Sequence, residues 1–112
     1  MGKDSKDELL PGTLKMLVLK TLSLGALHGY GIAAHIRQLS NDVLQVEEGS
    51  LYPALQRMEL KGLVRAEWKL TPTKRRARYY TLTAAGRKQL GIEQSTFGRL
   101  ADAIALVMNS EP

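Results

Sequence analysis

The sequence has 112 residues, of which 44% are hydrophobic and none is cysteine, and its formal net charge at pH 7 is +5. That length fits one compact domain with a hydrophobic core. The lack of cysteine excludes disulfides, thiolate metal sites and cysteine nucleophiles, and is typical of a reducing cytoplasm. The N-terminus has no apolar run behind a basic start, and lysines interrupt the longest apolar stretch, so we expect neither a signal peptide nor a membrane span.

The positive charge is concentrated in the centre of the chain. Ten of the 16 Lys and Arg residues lie between Ser50 and Lys88, where only Glu59 and Glu67 are acidic, and both flanking segments are slightly acidic. A basic centre between acidic flanks predicts a face that binds a polyanion, and nucleic acid is the first candidate. A membrane surface is the rival polyanion, but no basic amphipathic helix with bulky exposed apolar residues accompanies the charge.

The first half of the chain predicts two helices. An apolar helix opens at Gly12-Thr13 and ends at Gly25, and we expect it to be largely buried because it is apolar on more than one face. His28-Gly29-Tyr30-Gly31 leads into a second helix from Ile32 to about Leu39. Residues 43–46 predict either an extended connector or a short strand that could join the hairpin described below as its third strand.

The central stretch 48–62 predicts one amphipathic helix. Gly49 and Ser50 suit its N-cap region, Pro53 suits its first turn, and Gly62 favours the left-handed conformation that ends a helix. The apolar face consists of Leu51, Leu55 and Met58, with Leu60 as a fourth candidate. The other side carries a hydroxyl, a phenol, an amide and two cations, on Ser50, Tyr52, Gln56, Arg57 and Lys61. Such groups suit the base edges and phosphates of a DNA major groove, and the alternative is an ordinary solvated helix face.

A basic hairpin is predicted to follow this helix. Residues 63–70 alternate and are rich in strand formers, residues 71–76 are basic and typical of a turn, and residues 78–82 predict the second strand. Tyr79 and Tyr80 alternate on that strand, so we expect one in the core and one exposed. A helix that can enter a groove, followed by a basic hairpin, is the layout of a winged helix-turn-helix.

The C-terminal part predicts one long helix. Thr83 is the expected N-cap, and the helix should run to about Met108. Apolar residues recur along it at coiled-coil spacing, at Leu90, Phe97, Leu100, Ala101, Ile104, Val107 and Met108. The winged helix can hardly cover so long an apolar stripe, so we expect these residues to form a dimer interface with a second copy of the chain. The alternative is packing back onto the first helix within one subunit.

Catalytic and metal sites are not expected. His28 and His35 are seven residues apart without a cysteine or carboxylate at ligand spacing, and Ser50 lacks a His–Asp pair that the sequence singles out. The glycine-rich segment 25–31 lacks the strand, lysine and Ser/Thr of a phosphate-binding loop. We therefore predict that the protein is not an enzyme and uses no metal or cofactor.

Four motifs resemble the PadR family of bacterial transcriptional regulators, over roughly residues 12–90. In chain order they are Gly12-Thr13-Leu14; Leu27-His28-Gly29-Tyr30-Gly31-Ile32; Gly49-Ser50-Leu51-Tyr52-Pro53-Ala54-Leu55 with Met58-Glu59 and Gly62-Leu63-Val64; and Arg75-Arg76-Ala77-Arg78-Tyr79-Tyr80-Thr81-Leu82-Thr83-Ala84-Ala85-Gly86. The resemblance implies an α+β, mainly α fold. It divides the chain into a mobile arm at 1–11, a winged helix-turn-helix domain at 12–83, and a C-terminal dimerisation helix at 84–110 of the short-tailed type.

The charge layout and the resemblance together imply a cytoplasmic homodimer that represses transcription by binding an inverted-repeat operator in double-stranded DNA. The expected base-reading residues are Tyr52, Gln56 and Arg57, since Gln can pair with adenine and Arg with guanine in bidentate geometry. The expected contacts to phosphates or to the adjoining minor groove come from Ser50, Lys61, Lys74, Arg75, Arg76 and Arg78.

The resemblance also implies a small aromatic or cationic amphipathic effector that binds near the dimer interface and releases the DNA. Trp68 and Phe97 are candidates for lining its pocket, although a core position is the simpler expectation for both. Pro72 departs from the glycine or acidic-polar run that many relatives carry in the wing, and it predicts a stiffer tip. The alternative function is a winged-helix module that binds a protein or RNA without operator-specific DNA binding.

Overall fold

The computed structural model describes residues 12–112, so the predicted arm at 1–11 lies outside the described residues. The elements in chain order are α1 (Thr13–Leu22), β1 (Leu27–His28), α2 (Gly29–Leu39), α3 (Glu48–Leu60), β2 (Val64–Leu70), β3 (Arg76–Leu82) and α4 (Ala84–Met108). The three strands form one antiparallel sheet in the order β1-β3-β2. This is the mainly helical α+β architecture that the sequence predicts.

The hydrophobic core lies between the first three helices and the base of the sheet. Its most deeply buried side chains are Val18, Leu19, Leu22, Ile32, Leu51, Leu55, Met58 and Val64. The members on α1 and α3 lie at the spacings of three and four that define one face of a helix. Removing a side chain of this size from water contributes about 1.5–3 kcal/mol, so the docking of α3 depends on its three members of this set.

Helix α2 begins three residues earlier than predicted because His28 caps it. The Nδ1 atom of His28 accepts a hydrogen bond from the backbone N–H of Gly31 at 3.0 Å, which satisfies one of the free donors of the first turn. The ring of His28 also meets that of Tyr79 edge-on, with 5.1 Å between centroids. Helix α1 ends at Leu22, earlier than predicted, and Gly25 follows with φ of 148°.

Helix α3 begins at Glu48, so Gly49 and Ser50 lie inside it and are not its N-cap. The carbonyl of Glu47 accepts from the N–H groups of Ser50 and Leu51 at 3.0 and 2.9 Å. Pro53 consequently lies in the second turn instead of the first, and the carbonyl four residues before it, on exposed Gly49, loses its helical donor.

The end of α3 follows the prediction. Gly62 has φ of 76°, and its backbone N–H donates to the carbonyl of Glu59 at 3.0 Å. The N–H of Leu63 donates to the carbonyl of Met58 at 2.9 Å. This pair of bonds is a Schellman motif, which needs a residue in the left-handed conformation. It turns the chain directly from α3 into β2.

The third strand of the sheet is Leu27–His28, which pairs with Tyr80 and Tyr79, and the suggestion that residues 43–46 supply this strand is wrong. Residues 43–46 form the connector that the sequence left as the alternative. The turn before them contains two residues with positive φ, Asn41 and Asp42. Leu44 packs against the core, and its N–H donates to Ser40 Oγ at 2.9 Å.

The hairpin of β2 and β3 closes through the turn 71–75, where Lys74 has φ of 67°. The register runs from Val64 opposite Leu82 to Leu70 opposite Arg76. We call β2, this turn and β3 the wing. Of the two tyrosines on β3, Tyr80 is buried and its neighbour is half-buried.

Thr83 caps α4, as predicted. Its Oγ1 accepts from the N–H of Gly86 at 3.0 Å and donates to the carbonyl of Gly62 at 2.7 Å. The helix has 25 residues, which corresponds to roughly 37 Å at 1.5 Å per residue. Only its first two turns reach the core, through Gly86 and Leu90.

Candidate nucleic-acid interface

Helix α3 presents an exposed line of residues opposite its buried face. The buried face consists of Leu51, Ala54, Leu55 and Met58. Because successive residues are 100° apart around a helix, the opposite line consists of Gly49, Pro53, Gln56 and Leu60, and all four are exposed. Leu60 is 87% exposed, so its predicted place on the apolar face is wrong. Of the predicted base-reading residues, Gln56 is the one that lies on this outermost line.

Tyr52 lies on the side of α3 that faces α2. Its ring covers the backbone of Gly29, where an added Cβ would come within 2.6 Å of Tyr52 Cε1. The side chain nevertheless keeps 42% of its surface exposed. Tyr52 therefore helps to hold the two helices together, and only part of the side chain is available to a ligand.

Arg57 and Lys61 lie on the side of α3 that faces the start of α1. Together with Lys15 they line a hollow of about 220 Å³, which we call the basic hollow. Lys15 also pairs with Glu93 of α4, with 3.0 Å between Nζ and Oε2. Ser50 is exposed and, seven residues before Arg57, lies on the same side of the helix. Tyr52 and Gln56, four residues apart, are thus neighbours on the surface of α3, and Arg57 lies about 100° further around the helix.

The wing carries an aromatic ring with two guanidinium groups. Arg76 and Arg78 lie over the ring of Trp68, with Cζ 5.0 and 5.7 Å from its centroid. Trp68 is 55% exposed, so a core position is wrong for this residue. Lys74 and Arg75 at the turn are exposed, as is Arg76. These cations make the tip of the wing basic.

Arg78 differs from the other cations of the wing because it is already bonded to a carboxylate. Its Nη2 donates to Oε2 of Glu59 on α3 at 2.9 Å. Sequence reasoning missed Glu59 as a member of this face. Its position seven residues after Tyr52 places it on a flank of α3 and not on the buried face, and that spacing was the available signal.

The long helix α4 leaves an apolar groove beside α1. The groove measures about 600 Å³, and its apolar side chains are Met16, Phe97, Leu100, Ala101, Ile104 and Ala105. Phe97 is more than half exposed, so a core position within its own chain is wrong for this residue as well. Trp68 is not among the lining residues, so the two candidates for an effector pocket do not meet within one chain.

The predicted dimer residues divide into two groups. Leu90 is only 8% exposed and belongs to the core of its own chain, so it has little surface left for a partner. It lies where α4 still rests on the winged helix. Phe97, Leu100, Ile104, Val107 and Met108 are exposed and Ala101 is half-buried.

Within residues 12–112, no group of three or more His, Asp and Glu side chains is arranged to hold a metal ion. None of the helices in this part of the chain is long and apolar enough to cross a membrane.

Residues 18–92 match the sequence model of a family described as the transcriptional regulator PadR-like family. The chain belongs to this family. The match covers the exposed face of α3 and the whole wing, and it includes three of the four motifs on which the predicted resemblance rests; Gly12-Thr13-Leu14 lies before its start. PadR-like proteins are described as transcriptional regulators, so the chain is a transcriptional regulator and not an enzyme.

Solved structures of PadR-like proteins share the fold. A PadR-like transcriptional regulator from Bacillus cereus strain ATCC 14579 superposes with a TM-score of 0.79 and 25% identity, over 94% of this chain and 100% of that chain. A PadR family transcriptional regulator from Eggerthella lenta DSM 2243 gives a TM-score of 0.76 and 28% identity, over 89% and 85% of the two chains. The predicted winged-helix fold is therefore confirmed.

A relative by sequence is a 37.1 kDa protein in transposon TN4556 of Streptomyces fradiae. It is 43% identical over 90 residues, which are 80% of this chain and 24% of that protein. The chain thus spans about a quarter of the length of this relative.

Proposed function

We propose that the chain is a cytoplasmic bacterial repressor, which binds an inverted-repeat operator in double-stranded DNA as a homodimer. One observation carries the proposal. The exposed line of α3 lies between two basic surfaces, with Arg57 and Lys61 of the basic hollow on one side and, on the other, the wing, whose Arg78 bonds to Glu59 on that flank of α3. A helix flanked by cations on both sides suits a major groove, because the phosphates of the two strands border that groove.

The base-reading role is assigned to Tyr52, Gln56 and Arg57, as the sequence predicts. Gln56 is the central candidate because it lies on the outermost line of α3. Arg57 reaches the groove from the side of the basic hollow. Tyr52 contributes the exposed part of its ring, and the position of that ring depends on its packing against Gly29. A bidentate amide or guanidinium contact contributes about 1–3 kcal/mol of discrimination between bases.

The phosphate contacts are assigned to exposed polar and basic side chains around α3 and on the wing. These are Ser50, Lys61, Lys74, Arg75 and Arg76. Such contacts supply affinity and salt dependence but little sequence preference. Arg78 was predicted to join this set, and its bond to Glu59 gives reason to treat it separately.

The dimer is proposed to form along α4. Phe97, Leu100 and Ile104 expose apolar surface beside α1, over a length of helix that the winged helix does not cover. A two-fold axis through this surface would bury the same residues of both copies. It would also present two α3 helices to half-sites about 34–36 Å apart, or one helical turn of DNA. The alternative is packing onto α1 within one subunit, which the burial of Leu90 and the Lys15–Glu93 pair support for the first part of α4.

An effector is proposed to enter the groove between α1 and α4. The groove has apolar walls, and Glu93 is an acidic residue among its lining. An aromatic compound with a positive charge fits such a lining, since the ring of Phe97 supplies apolar contact and the carboxylate of Glu93, for which the compound would compete with Lys15, lies nearby. Binding there would displace α4 of the partner copy or shift it, and so change the distance between the two α3 helices.

Binding of the purified chain to its own upstream DNA tests the proposal. The affinity is measured at several salt concentrations, beside a random duplex of the same length and a hairpin RNA. We expect saturation at two chains per site, a steep fall of affinity with salt, and a preference of at least about 10³ for the upstream DNA. Equally weak binding to both duplexes would contradict operator-specific binding. Preference for the hairpin RNA would favour the alternative function, a winged-helix module that binds RNA.

A further inference from the structure

Glu59 is an acidic side chain on the helix that is proposed to enter DNA. Its carboxylate does not face solvent alone, because Oε2 lies 2.9 Å from Nη2 of Arg78 on β3. The two side chains are 33% and 37% exposed, so the pair is neither fully solvated nor deeply buried. A charged hydrogen bond of this length links α3 directly to β3.

Arg78 of the ion pair also contacts Trp68 within the wing. Arg78 is directly opposite Trp68 in the β2–β3 register, and its guanidinium lies 5.7 Å from the centre of the ring. Arg76 lies over the same ring at 5.0 Å. A connected series of side chains therefore runs from Glu59 on α3 to Arg76 beside the turn, and each neighbouring pair attracts through opposite charge or through a cation over an aromatic face.

Besides the Glu59–Arg78 pair, the outer half of the wing is held through Tyr79, whose ring meets that of His28 at 5.1 Å and lies 5.3 Å from Nζ of Lys69. The last core contacts of the hairpin are made by Tyr80 and by Ala66 opposite it. Beyond this pair, Trp68, Lys69 and Leu70 are exposed. Within the described part of the chain, Glu59 with Arg78 is the ion pair that joins this outer half to α3.

We propose that Glu59 and Arg78 are positioning residues, which fix the angle between α3 and the wing so that both engage the operator in one register. Arg78 acts through Glu59 and Trp68 and is not itself a phosphate ligand. The inference rests on the proposed function as a DNA-binding regulator. It assigns a role to an acidic residue that a simple count of charges would treat as unfavourable for DNA binding.

The substitution Glu59→Gln separates this role from plain electrostatics. It removes a negative charge from a basic face, and charge alone would strengthen binding to any DNA. Loss of the ion pair, in contrast, lets Arg78 and the outer half of the wing move relative to α3. We expect the affinity for a random duplex to stay the same or rise while the affinity for the operator falls. The ratio of operator affinity to random-duplex affinity should therefore drop about fivefold, which corresponds to the upper end of the energy of one partly exposed ion pair.

Glu67→Gln is the matched control. Glu67 is an exposed acidic residue of β2, and the substitution changes the net charge by the same amount in the same region. Its neighbour Trp68 points to the opposite face of the strand, so Glu67 lies away from the connected series. We expect Glu67→Gln to raise both affinities by the same factor and to leave the ratio unchanged.

Arg78→Gln and the double variant Glu59→Gln/Arg78→Gln complete the test. If the two residues act as one unit, the double variant lowers the operator ratio no further than the worse single variant does. The slope of log affinity against log salt should stay at the wild-type value in Arg78→Gln. A phosphate ligand would instead lower the magnitude of that slope by about 0.9.

Trp68 supplies a readout that needs no DNA, since it is the only tryptophan of the chain. Release of Arg78 uncovers its ring, so Glu59→Gln should increase quenching of its fluorescence by acrylamide, and Glu67→Gln should not. The thermal midpoint of each variant, measured alongside, verifies that the comparison is made between folded proteins.

The outcomes separate the inference from the proposed function. Equal effects of Glu59→Gln and Glu67→Gln on the operator ratio and on quenching would overturn the positioning role while leaving the repressor intact. A wild-type protein that does not distinguish operator from random DNA would overturn the repressor and, with it, the part of the inference that concerns DNA. The quenching experiment still decides whether Glu59 and Arg78 hold the wing.

Discussion

The ring of Tyr52 on α3 lies against the backbone of Gly29 at the start of α2, so closely that a Cβ atom at residue 29 would come within 2.6 Å of the ring. Glycine at this position therefore sets how near the two helices approach each other. The requirement is one of space and not of backbone conformation, since Gly29 has no positive φ. The orientation of α3, and with it the exposed line through Gln56, depends on this contact.

Gly29→Ala should lower the free energy of unfolding by about 1–3 kcal/mol, because the added methyl group forces Tyr52 or a helix to move. Urea denaturation measures the change. Gly91→Ala is the control, since Gly91 lies in the exposed part of α4 with no atom within 4 Å of an added Cβ. It should stabilise the protein by up to about 1 kcal/mol through better helix propensity. Equal stability of Gly29→Ala and wild type would show that the helices tolerate separation.

Substitution of a base-reading residue on α3 should change DNA affinity differently from substitution of a phosphate-contacting residue. Gln56→Ala and Arg57→Ala should each weaken binding to the operator by about 1–3 kcal/mol while changing the affinity for random DNA much less. Lys74→Ala should weaken both by a similar factor and lower the magnitude of the salt slope by about 0.9. Binding titrations on both duplexes measure these effects. If Arg57→Ala costs no more on the operator than on random DNA, its base-reading role is wrong.

The proposed dimer surface on α4 can be tested with one pair of charged substitutions. Ile104→Glu places a charge in the apolar groove, and we expect it to convert the dimer to a monomer. Leu106→Glu is the matched control, because Leu106 is also exposed and lies about 160° around the helix from Ile104. Sedimentation velocity gives the oligomeric state. Dissociation by both substitutions, or by neither, would argue against an interface on this face.

Thr83 joins α4 to the end of α3, and its loss should destabilise the whole domain. Thr83→Ala removes the acceptor for the N–H of Gly86 and the donor to the carbonyl of Gly62. We expect a loss of about 1–2 kcal/mol in the free energy of unfolding. Thr83→Ser keeps both hydrogen bonds and should lose much less. Similar losses in the two variants would show that the methyl group and not the hydroxyl is responsible.

Alkaline stability should depend on Tyr80. Burial raises the pKa of its hydroxyl above the ordinary value of 10.0, although the nearby charge of Arg78 acts in the opposite direction. The unfolded chain therefore releases this proton first as pH rises. The stability linked to Tyr80 is complete below pH 10 and is lost as the pH rises from there through the raised pKa of the folded state.

Tyr80→Phe should accordingly show a smaller fall in unfolding free energy above pH 10 than the wild type does. Urea denaturation at a series of alkaline pH values measures this, and Tyr30→Phe at an exposed position controls for the loss of a tyrosine hydroxyl. A fall as steep in Tyr80→Phe as in the wild type would mean that other groups govern alkaline unfolding.

Several elements were predictable because their signals act within a few residues. Gly62 ends α3 in the left-handed conformation, and Thr83 caps α4 through the N–H three residues later. The alternation of residues 64–70 indicates a strand directly. His28 shows the limit of such signals. It is both the cap of α2 and half of a two-residue strand, and two residues are too few to show a period of two.

The candidate site was predicted as a set of residues but not as an arrangement. Composition and charge indicated a basic face that includes α3 and the wing, and the structure leaves Gln56, Lys74 and Arg75 exposed there. The sequence did not show that Arg78 is bonded to a carboxylate 19 residues earlier in the chain. Nor did it separate Leu90, which is buried, from the exposed apolar residues seven and more positions later on the same stripe.

The sequence by itself determined the helices, the hairpin, the basic centre and the family, because each depends on local hydrogen bonding, on periodicity or on motifs within a short stretch of chain. Only the tertiary structure decided which element each flank of α3 faces, which apolar residues remain uncovered and which cations are already paired. Those properties depend on the angles and distances between packed elements. Trp68 and Phe97 show the difference. Both are apolar enough to lie in a core, but in the folded chain both lie outside its hydrophobic core and are exposed.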